Sequence, residues 1–250
     1  MNPLRHCLAG LSMLAFASLA PTSASAQEPS VLTIPLRYEF DSLDPQRELD
    51  FASDLVLRQV YSTLLTYAYL ERPYKLEPDL LESMPTLGAD RVTYTFKLRK
   101  GVRFVDNACF PGGKGRELTA DDAIYTIRRY ADANVNTKSF YAMAGDVVGL
   151  DAYRAASAKS GPTGDTSRLD VAGLHRIDKY TFTVRLTHEN PLFLYSLAFE
   201  PMAIVPFEAV QMYKDKLSVN VVGTGRWKLN AGPGLGTVLR QFCCSSKSGL

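Results

Sequence analysis

The sequence contains 250 residues, of which 46 per cent are hydrophobic and 22 per cent are charged, with 17 Gly and 14 Pro. This ordinary globular composition excludes a disordered, collagen-like or coiled-coil protein. Lysine and arginine number 28 against 26 aspartates and glutamates. Because no large excess of positive charge is available to bind a nucleic-acid backbone, nucleic acid is not an expected partner.

The first 26 residues have the features of a secretory signal peptide. Arg5 precedes an uncharged run of apolar and small residues from Cys7 to Ala20, and small side chains stand at Ala24 and Ala26. We predict cleavage after Ala26. The run is shorter than the roughly 20 residues that span a bilayer core, so we expect a protein exported to the periplasm without direct membrane insertion.

Cysteine and histidine are too sparse to indicate a metal or redox site. Processing would leave Cys109, Cys243 and Cys244, an odd number that leaves one thiol without a partner in the chain. Adjacent cysteines fit disulfide geometry poorly, so the pairing is left open. No CxxC motif is present, and only two histidines follow the predicted cleavage point. We therefore predict no metal ligands and no cofactor.

The predicted elements begin with a strand over residues 31–38. Apolar residues at three- and four-residue steps then predict an amphipathic helix from Phe51 to Tyr67. Residues 71–87 contain three prolines and are expected to form loops, with a short helical turn near Leu80.

The clearest strand pattern is the alternation of apolar and polar residues from Val92 to Arg99. The turn at Lys100-Gly101 predicts a hairpin in which residues 102–104 form the second, short strand. A helix should begin after Thr119, because Thr119 and Asp122 have the spacing of a capping box.

The second half of the chain mixes short predicted strands and helices. Residues 134–169 show little pattern, and 160–165 are expected to be a surface insertion. Strands are predicted at 180–186 and 203–206, and helices at 192–199 and 207–211. Because strands and helices do not alternate as regular βαβ units, the fold class is α/β (mixed α+β) with packed layers.

Several motifs suggest chemistry, but each has a simpler structural explanation. Gly112–Gly115 lacks the spacing of a phosphate-binding loop, and the glycines at 232–236 lack a strand and helix around them. Asp121 and Asp122 stand at a predicted helix start, where helix capping accounts for the presence of acidic residues. His175 and His188 are expected at the surface, and no GxSxG motif is present. The residues alone therefore favour a binding protein over an enzyme, with no catalytic residue.

Six segments recur in an order and spacing typical of one known family. They are Ser42–Pro45, Val60–Leu65, Leu76–Ser83, Val92–Phe104, Leu118–Asp122 and Val222–Gly225. Together, across residues 32–240, they resemble the periplasmic solute-binding proteins of peptide and nickel ABC importers, known as extracellular solute-binding proteins family 5.

The resemblance implies a periplasmic-binding-protein-like fold in which two lobes close on a ligand. It implies the substrate-binding component of an ABC transporter, capturing oligopeptides or dipeptides for import, and not an enzyme. The implied partners are a peptide or other small solute and an inner-membrane ABC permease, with a monomeric protein. Nickel, haem, opines or sugars are alternative ligands within the family, and a periplasmic hydrolase is the alternative of another class.

The resemblance also implies a domain organisation. The first lobe would comprise residues 27–64 plus 198–240 and would be incomplete, while residues 65–197 would form an inserted second lobe. Residues 241–250 match nothing in the family pattern. Because family members run to roughly twice this length, we expect an N-terminal portion that is an inactive, truncated copy.

Three residues are implied to lie along the ligand. In the family, the segment a few residues beyond the Leu-Asp-Pro turn runs beside the ligand, and by position this is Leu49, Asp50 and Phe51. The alternative is that these residues only begin a packed helix. The sequence departs from the family at Val105-Asp106-Asn107, where a histidine usually follows the strand, and at Arg226-Trp227, where a proline usually stands.

Overall fold

The computed structural model describes residues 42–47, 50–161, 169–231 and 237–241, with only the backbone described at 230, 231 and 237–241. All of them fall in one unit, Leu36–Leu250. The signal peptide with its cleavage site, the predicted strand at 31–38, Cys243 and Cys244 lie outside the described residues.

The described chain combines helices with antiparallel strands, which confirms the mixed α+β class. The helices are α1 Phe51–Val60, α2 Ala120–Ala131, α3 Leu150–Ser160, α4 Phe193–Ser196 and α5 Phe207–Tyr213. The strands are β1 Leu65–Tyr67, β2 Leu76–Pro78, β3 Thr86–Leu87, β4 Thr93–Lys97, β5 Leu174–Arg176, β6 Thr181–Arg185, β7 Trp227–Ala231 and β8 Thr237–Gln241. Strands β1 and β2 pair, β7 and β8 pair, and the larger sheet has the order β3-β4-β6-β5.

The centre of the larger sheet is the antiparallel pair β4 and β6. Phe96 lies opposite Phe182, and Tyr94 lies opposite Val184. The rings of Phe96 and Phe182 stack with their centroids 5.0 Å apart, and both side chains are fully buried. Because alternate residues of a strand point to one face, the predicted alternation correctly identified the face that packs into the core.

At the start of α2, the carboxylate of Asp122 accepts hydrogen bonds from several donors. Asp122 Oδ2 accepts a hydrogen bond from the Thr119 backbone N–H at 2.9 Å, which confirms the predicted capping box. The same carboxylate accepts both terminal nitrogens of Arg116, at 2.8 and 2.7 Å. Arg116 also binds Glu208 on α5 at 2.6 Å, so the capping acid links α2 to α5.

A buried ion pair joins the turn at residues 42–47 to α2. Arg129 donates from both terminal nitrogens to Asp44, at 2.6 and 2.9 Å. It also donates to Gln46 Oε1 at 2.6 Å, and the Gln46 amide donates to the Thr126 carbonyl at 2.8 Å. Asp44 is 1% exposed and Arg129 is 6% exposed. Burial opposes the Arg129 charge, but Asp44 outweighs it, so the pKa of Arg129 is raised.

The Gly-Thr-Gly segment that follows Val222 lies directly against the end of α1. A Cβ atom on Gly223 would stand 2.0 Å from the Val60 carbonyl oxygen. A Cβ on Gly225 would meet the carbonyl oxygens of Gln59 and Val60 at less than 3 Å. The Gly225 N–H donates to the Val60 oxygen at 3.0 Å, so the glycines permit two backbones to touch.

The helix predicted from Phe51 to Tyr67 is too long. It ends at Val60, because Tyr61 adopts an extended conformation while its N–H still donates to the Leu57 carbonyl. Residues 65–67 instead form β1, which pairs with β2. Strand β2 lies within residues 71–87, which were predicted to be loop. No helical turn forms near Leu80, and Leu81 makes a bridge to Leu98. Leu64 and Leu65 fit a helical period, but Leu65 begins β1 and both side chains are buried in the core outside any helix.

The predicted hairpin between residues 92–99 and 102–104 is also wrong. Arg103 makes an isolated bridge to Glu117, while β4 pairs with β3 and β6. Glu117 continues this local network, because its carboxylate accepts from Gly101 N–H at 2.6 Å, from Lys179 at 2.7 Å and from Tyr180 at 2.9 Å.

Three further expectations need correction. The helix predicted at 192–199 is reduced to the four residues of α4, and residues 203–206 are buried and extended but form no strand. Ile204 N–H donates to the Ser62 carbonyl at 3.0 Å and Val205 N–H donates to the Thr126 hydroxyl at 3.3 Å, so separate hydrogen bonds hold this segment without a ladder. Helix α3 lies in the region predicted to have little structure, where small residues weaken the apolar stripe. Residues 162–168 of the expected insertion lie outside the described chain.

We expect Asp44→Asn to lower the free energy of unfolding by about 3–5 kcal/mol, because it leaves the buried Arg129 guanidinium without a counter-charge. Urea unfolding measured by circular dichroism checks this value. Glu189→Gln is the control, because it removes one carboxylate from an exposed pair with Arg91 and should have a much smaller effect. Equal losses in both variants would contradict the importance of the buried pair.

We expect Gly223→Ala to lower the free energy of unfolding by about 3 kcal/mol, because its Cβ would overlap a backbone oxygen that cannot rotate away. Gly112→Ala is the comparison, because Gly112 has a φ of +63° but no atom lies within 4 Å of the added Cβ. The left-handed backbone conformation alone should lower the free energy of unfolding by about 1 kcal/mol. Thermal and urea unfolding of both variants give the two numbers. A smaller loss at Gly223 than at Gly112 would show that α1 moves away at little cost.

Candidate functional site

The N-terminus of α1 holds two of the three residues predicted to lie along a ligand. Asp50 is the N-cap, and its Oδ1 accepts from the Ser53 backbone N–H at 2.8 Å. Phe51 begins the helix and is 75% exposed. Leu49 lies outside the described residues. Capping orphan N–H groups with an acid is the usual way to begin a helix, so Asp50 has a structural role in addition to any contact with a ligand.

A pocket of about 300 Å³ opens beside this helix start. We call it the α1 pocket. It is lined by Asp50, Phe51, Asp54, Leu57, Arg58, Phe199, Glu200 and Pro201. Its walls therefore combine aromatic and aliphatic side chains with a few charged groups, the combination found in sites for small organic ligands.

A second pocket of about 170 Å³ adjoins the first. We call it the Asp79 pocket. It is lined by Leu57, Arg58, Tyr61, Ser62, Thr63, Thr66, Asp79, Ala198, Glu200 and Ala203. Leu57, Arg58 and Glu200 line both pockets, so these three side chains mark the junction between them.

An ionic cluster occupies that junction. Arg58 Nε donates to Asp54 Oδ2 at 2.9 Å, one helical turn earlier, and its Nη2 is paired with Glu200 Oε1. The side chains of Arg58, Asp54 and Glu200 are 48%, 27% and 14% exposed. Burial opposes the guanidinium charge, but Asp54 and Glu200 outweigh burial, so the pKa of Arg58 is raised.

The carboxyl of Glu200 has a raised pKa. Burial raises the pKa of its carboxyl above the ordinary value, and the neighbouring Asp54 carboxylate adds to the increase. Arg58 acts in the opposite direction without cancelling the rise. Ionising Glu200 therefore costs more free energy than ionising an exposed glutamate, as is common for acids in binding sites.

Tyrosine rings stand next to the ionic cluster. The Tyr67 ring lies 6.2 Å from that of Tyr195 and 6.0 Å from that of Tyr74, measured between centroids. Burial raises the pKa of the Tyr67 hydroxyl first, and the charge of Glu200 raises it further, which places Tyr67 near the junction. All three rings are between 38% and 63% exposed, so their surfaces face solvent beside the pockets.

Sequence reasoning missed the charged residues that organise the pockets. Asp54 and Arg58 have the spacing of an intrahelical ion pair, which was available in the sequence, but such pairs are common on helix surfaces. Glu200 is separated from them by more than 140 positions of chain, and no local pattern relates it to α1. Only the fold brings these side chains together.

The set-aside motifs that fall within the described residues have structural explanations, whereas the glycines at 232–236 lie outside the described chain. Gly112 and Gly113 belong to a short turn with positive φ, and Lys114 pairs with Asp106 at 2.8 Å. Asp121 pairs with Arg176 at 2.8 Å. The histidines His175 and His188 are exposed and line neither pocket.

The described residues show neither a metal cluster nor a membrane span. Within the described ranges, no group of three or more His, Cys, Asp or Glu side chains could hold a metal ion. None of the described helices is both long enough and apolar enough to cross a bilayer. Cys109 has no disulfide partner among the described residues, and burial raises the pKa of its thiol to about 11.

Comparison with known protein families identifies the family to which this chain belongs. Residues 75–239, more than half of the chain, match the model of the bacterial extracellular solute-binding proteins, family 5 middle region. The chain belongs to this family. Family members are substrate-binding transport proteins rather than enzymes, and they work outside the cytoplasm.

Curated relatives share low identity over most of this chain. The glutathione-binding protein GsiB of Escherichia coli O1:K1 / APEC is 25% identical over 219 residues, which are 87% of this chain and 35% of that protein. The di/tripeptide-binding protein 2 of Pseudomonas aeruginosa (strain UCBPP-PA14) is 27% identical over 233 residues, which are 90% of this chain and 39% of that protein. The chain thus spans little more than a third of the length of these relatives.

Solved structures share the same fold. The periplasmic oligopeptide-binding protein OppAIV of Borrelia burgdorferi matches with a TM-score of 0.66 and 21% identity, covering 83% of this chain and 38% of that one. DppA of Helicobacter pylori, in complex with the peptide STSA, matches with a TM-score of 0.62 and 23% identity, covering 84% and 38%. These partial matches confirm a fold of the periplasmic-binding-protein type.

We expect Glu200→Gln to be as stable as the unsubstituted protein at pH 4 and more stable at pH 7. The folded-state pKa of Glu200 is raised above 4.5, so the stabilisation linked to its protonation is present below that value and is lost as pH rises through the folded pKa. Urea unfolding across pH 4–7 measures the difference.

Glu117→Gln is the matched variant with the opposite sign. The hydrogen bond from Lys179 is the main cause that lowers the pKa of Glu117 to about 2. The stabilisation from its charge is therefore present above 4.5 and is lost as pH falls toward 2. Glu117→Gln should be less stable at pH 7, with the difference shrinking in acid. The same pH dependence in both variants would contradict these assignments.

Proposed function

We propose that this chain is the peptide-binding component of an ABC importer and that the α1 pocket forms part of its ligand site. The observation that carries the proposal is the position of Asp50 and Phe51. From the family resemblance we expect these residues to lie along the ligand, and both line the α1 pocket. The same geometry supports ligand contact by Leu57, Phe199 and Pro201, which complete the apolar walls.

The chemistry of the paired pockets suits an oligopeptide or dipeptide. Apolar walls from Phe51 and Phe199 can pack against side chains of varied shape, while the charged junction at Arg58 can bind polar groups of the ligand. The names of two relatives, which bind glutathione and di- or tripeptides, support a small peptide. Nickel, haem and other small solutes remain the alternatives within the family.

The remaining features of the proposal follow from the family. We propose export to the periplasm after cleavage at Ala26, a monomeric protein, and delivery of the ligand to an inner-membrane ABC permease. We also propose that residues 27–64 plus 198–240 form one lobe and that residues 65–197 form an inserted lobe. Contacts of α1 with Gly223 and Ile204 with Ser62 support the pairing of the two halves of the first lobe.

Because the expected inactive, truncated copy would keep only one wall of the ligand site, we expect tri-alanine to bind the isotope-labelled full chain only weakly and to shift the amide NMR signals of α1 and of residues 198–201. Phe51→Ala should weaken this binding about tenfold, a loss of about 1.4 kcal/mol, because the aromatic wall is removed. Tyr141→Ala is the matched control, because Tyr141 is also 75% exposed and does not line either pocket. NMR titration detects millimolar as well as micromolar dissociation constants.

The alternatives give different results in the same experiment. Saturable shifts with nickel or haem but none with tri-alanine would contradict the peptide proposal in favour of another ligand. Mass spectrometry of the peptide after incubation tests the hydrolase alternative, and we expect the peptide to remain intact. Cleavage that persists at constant specific activity through purification would contradict a binding-only function.

A further inference from the structure

We propose that Cys109 forms a disulfide bond with Cys243 or Cys244, and that this bond ties the end of β8 to the loop at residues 105–110. The proposal rests on the proposed function in one respect, because export to the periplasm supplies the oxidising compartment in which disulfides persist. One of the two adjacent cysteines then keeps a free thiol, because three cysteines follow the predicted cleavage point.

The three cysteines lie in the two segments in which this sequence departs from the family pattern. Cys109 follows Val105-Asp106-Asn107, whereas Cys243 and Cys244 belong to residues 241–250, beyond the end of the family match at residue 239. The pairing is therefore specific to this chain and does not follow from membership of the family.

Hydrogen bonds hold the 105–110 loop in a defined conformation. The Cys109 N–H donates to Asn107 Oδ1 at 3.0 Å, and the same oxygen accepts from the Tyr213 hydroxyl on α5 at 2.7 Å. The Phe110 N–H closes the turn by donating to the Asn107 carbonyl at 3.1 Å. Because Cys109 is only partly buried, a second sulfur atom can approach it without opening the core.

The start of β7 lies beside this loop. The Val105 N–H donates to the Gly223 carbonyl at 3.0 Å, four residues before the strand begins at Trp227. Within the strand, Lys228 Nζ donates to the Asp106 carbonyl at 2.9 Å. Both contacts connect the loop to the N-terminal end of β7.

The chain leaves β8 at the same end of the hairpin. The two strands are antiparallel, so Trp227, the first residue of β7, lies opposite Gln241, the last residue of β8. Cys243 and Cys244 follow Gln241 by two and three residues. Since an extended residue spans at most about 3.5 Å, about 7 and 10 Å of chain are available to bring either cysteine to the loop. A disulfide needs Cα atoms roughly 4.4–6.8 Å apart.

Formation of the bond removes two protons and two electrons from the thiol pair. A tail thiolate first attacks one sulfur of an oxidising disulfide, such as oxidised glutathione, and expels a thiolate. The Cys109 thiol then loses its proton to solvent, and its sulfur attacks the tail sulfur of the mixed disulfide and expels the second thiolate. One oxidant disulfide thus becomes two thiols. Burial raises the pKa of the Cys109 thiol to about 11, so the tail cysteine supplies the first thiolate.

Peptide mapping of the oxidised full chain tests the pairing. Cys7 in the predicted signal peptide is changed in every sample (Cys7→Ser), so that only the three cysteines in question remain. The reduced chain is exposed to oxidised glutathione, its free thiols are blocked with N-ethylmaleimide, and it is digested with trypsin without reduction. Trypsin should place Cys109 in peptide 104–114 and both tail cysteines in peptide 241–247. We expect these two peptides to be joined, and their fragmentation identifies the tail cysteine involved.

Variants test whether the fold directs the bond. We expect the link to form about tenfold faster, or more, in native buffer than in concentrated urea at the same pH, and Cys109→Ser should abolish it. The matched control combines Cys109→Ser with Ser83→Cys, which moves the thiol to an exposed position between β2 and β3. This control should link to the tail no faster in buffer than in urea.

Reduction of the oxidised chain should lower its thermal unfolding midpoint by about 10 °C, because the cross-link no longer restricts the unfolded chain. The midpoint of Cys109→Ser should not change on reduction. A bond between Cys243 and Cys244, links between chains, three blocked thiols, or equal rates in buffer and urea would each overturn the proposed pairing.

The disulfide and the proposed function fail independently. The oxidant is supplied in the experiment, so the result does not depend on export, and peptide binding is measured separately. Tri-alanine binding by a chain whose three thiols stay free would support the proposed function and contradict the disulfide. The intramolecular link in a chain that binds no peptide would support the disulfide and contradict the proposed function.

Discussion

The buried ion pair between Asp44 and Arg129 is the constraint on which the rest of the structure depends. Removing two charges from water is costly, and only close, bidentate geometry with further hydrogen bonds offsets that cost. Arg129 meets this requirement through Asp44 and Gln46. Because the partners are 85 positions apart in sequence, the pair can form only when the turn at 42–47 docks onto α2 in one arrangement.

Helix α2 then acts as the support for the chain on both sides of the pockets. Through Arg129 and Thr126 it holds the turn that leads to α1. The Thr126 hydroxyl also accepts from the Val205 N–H at 3.3 Å, a few residues beyond Glu200. One helix thus restrains both segments that supply the pocket walls. The pocket geometry follows from this support and not from contacts within the walls alone.

The sequence predicted best where one local pattern decides the structure. The alternation around Phe96 and the capping acid at Asp122 each depend on neighbours within a few residues, and both predictions are confirmed. The α1 helix was predicted too long because Leu64 and Leu65 fit a helical period while their burial comes from β1 and nearby chain. Residues 203–206 were predicted as a strand because apolar composition reports burial, whereas a strand also needs a partner with a free edge.

In the candidate site, too, local patterns identified some residues and long-range contacts determine the others. Asp50 and Phe51 could be proposed from a family resemblance, because they follow a recognisable turn. Arg58 and Glu200 could not, since their pairing depends on how the segment after α4 returns to α1. The Gly-Thr-Gly segment was recognised from the sequence as a family pattern. The reason that glycine is needed there, the close contact of Gly223 with Val60, is visible only in the structure.

The junction of the pockets holds a glutamate where an uncharged residue would be less costly. Burial raises the pKa of Glu200, the neighbouring Asp54 adds to the rise, and Arg58 opposes it without cancelling it. A glutamine at this position would avoid the buried charge and keep a similar shape. We therefore expect the ionised acid to lower the stability of the protein at neutral pH relative to a glutamine, because burial disfavours its charge.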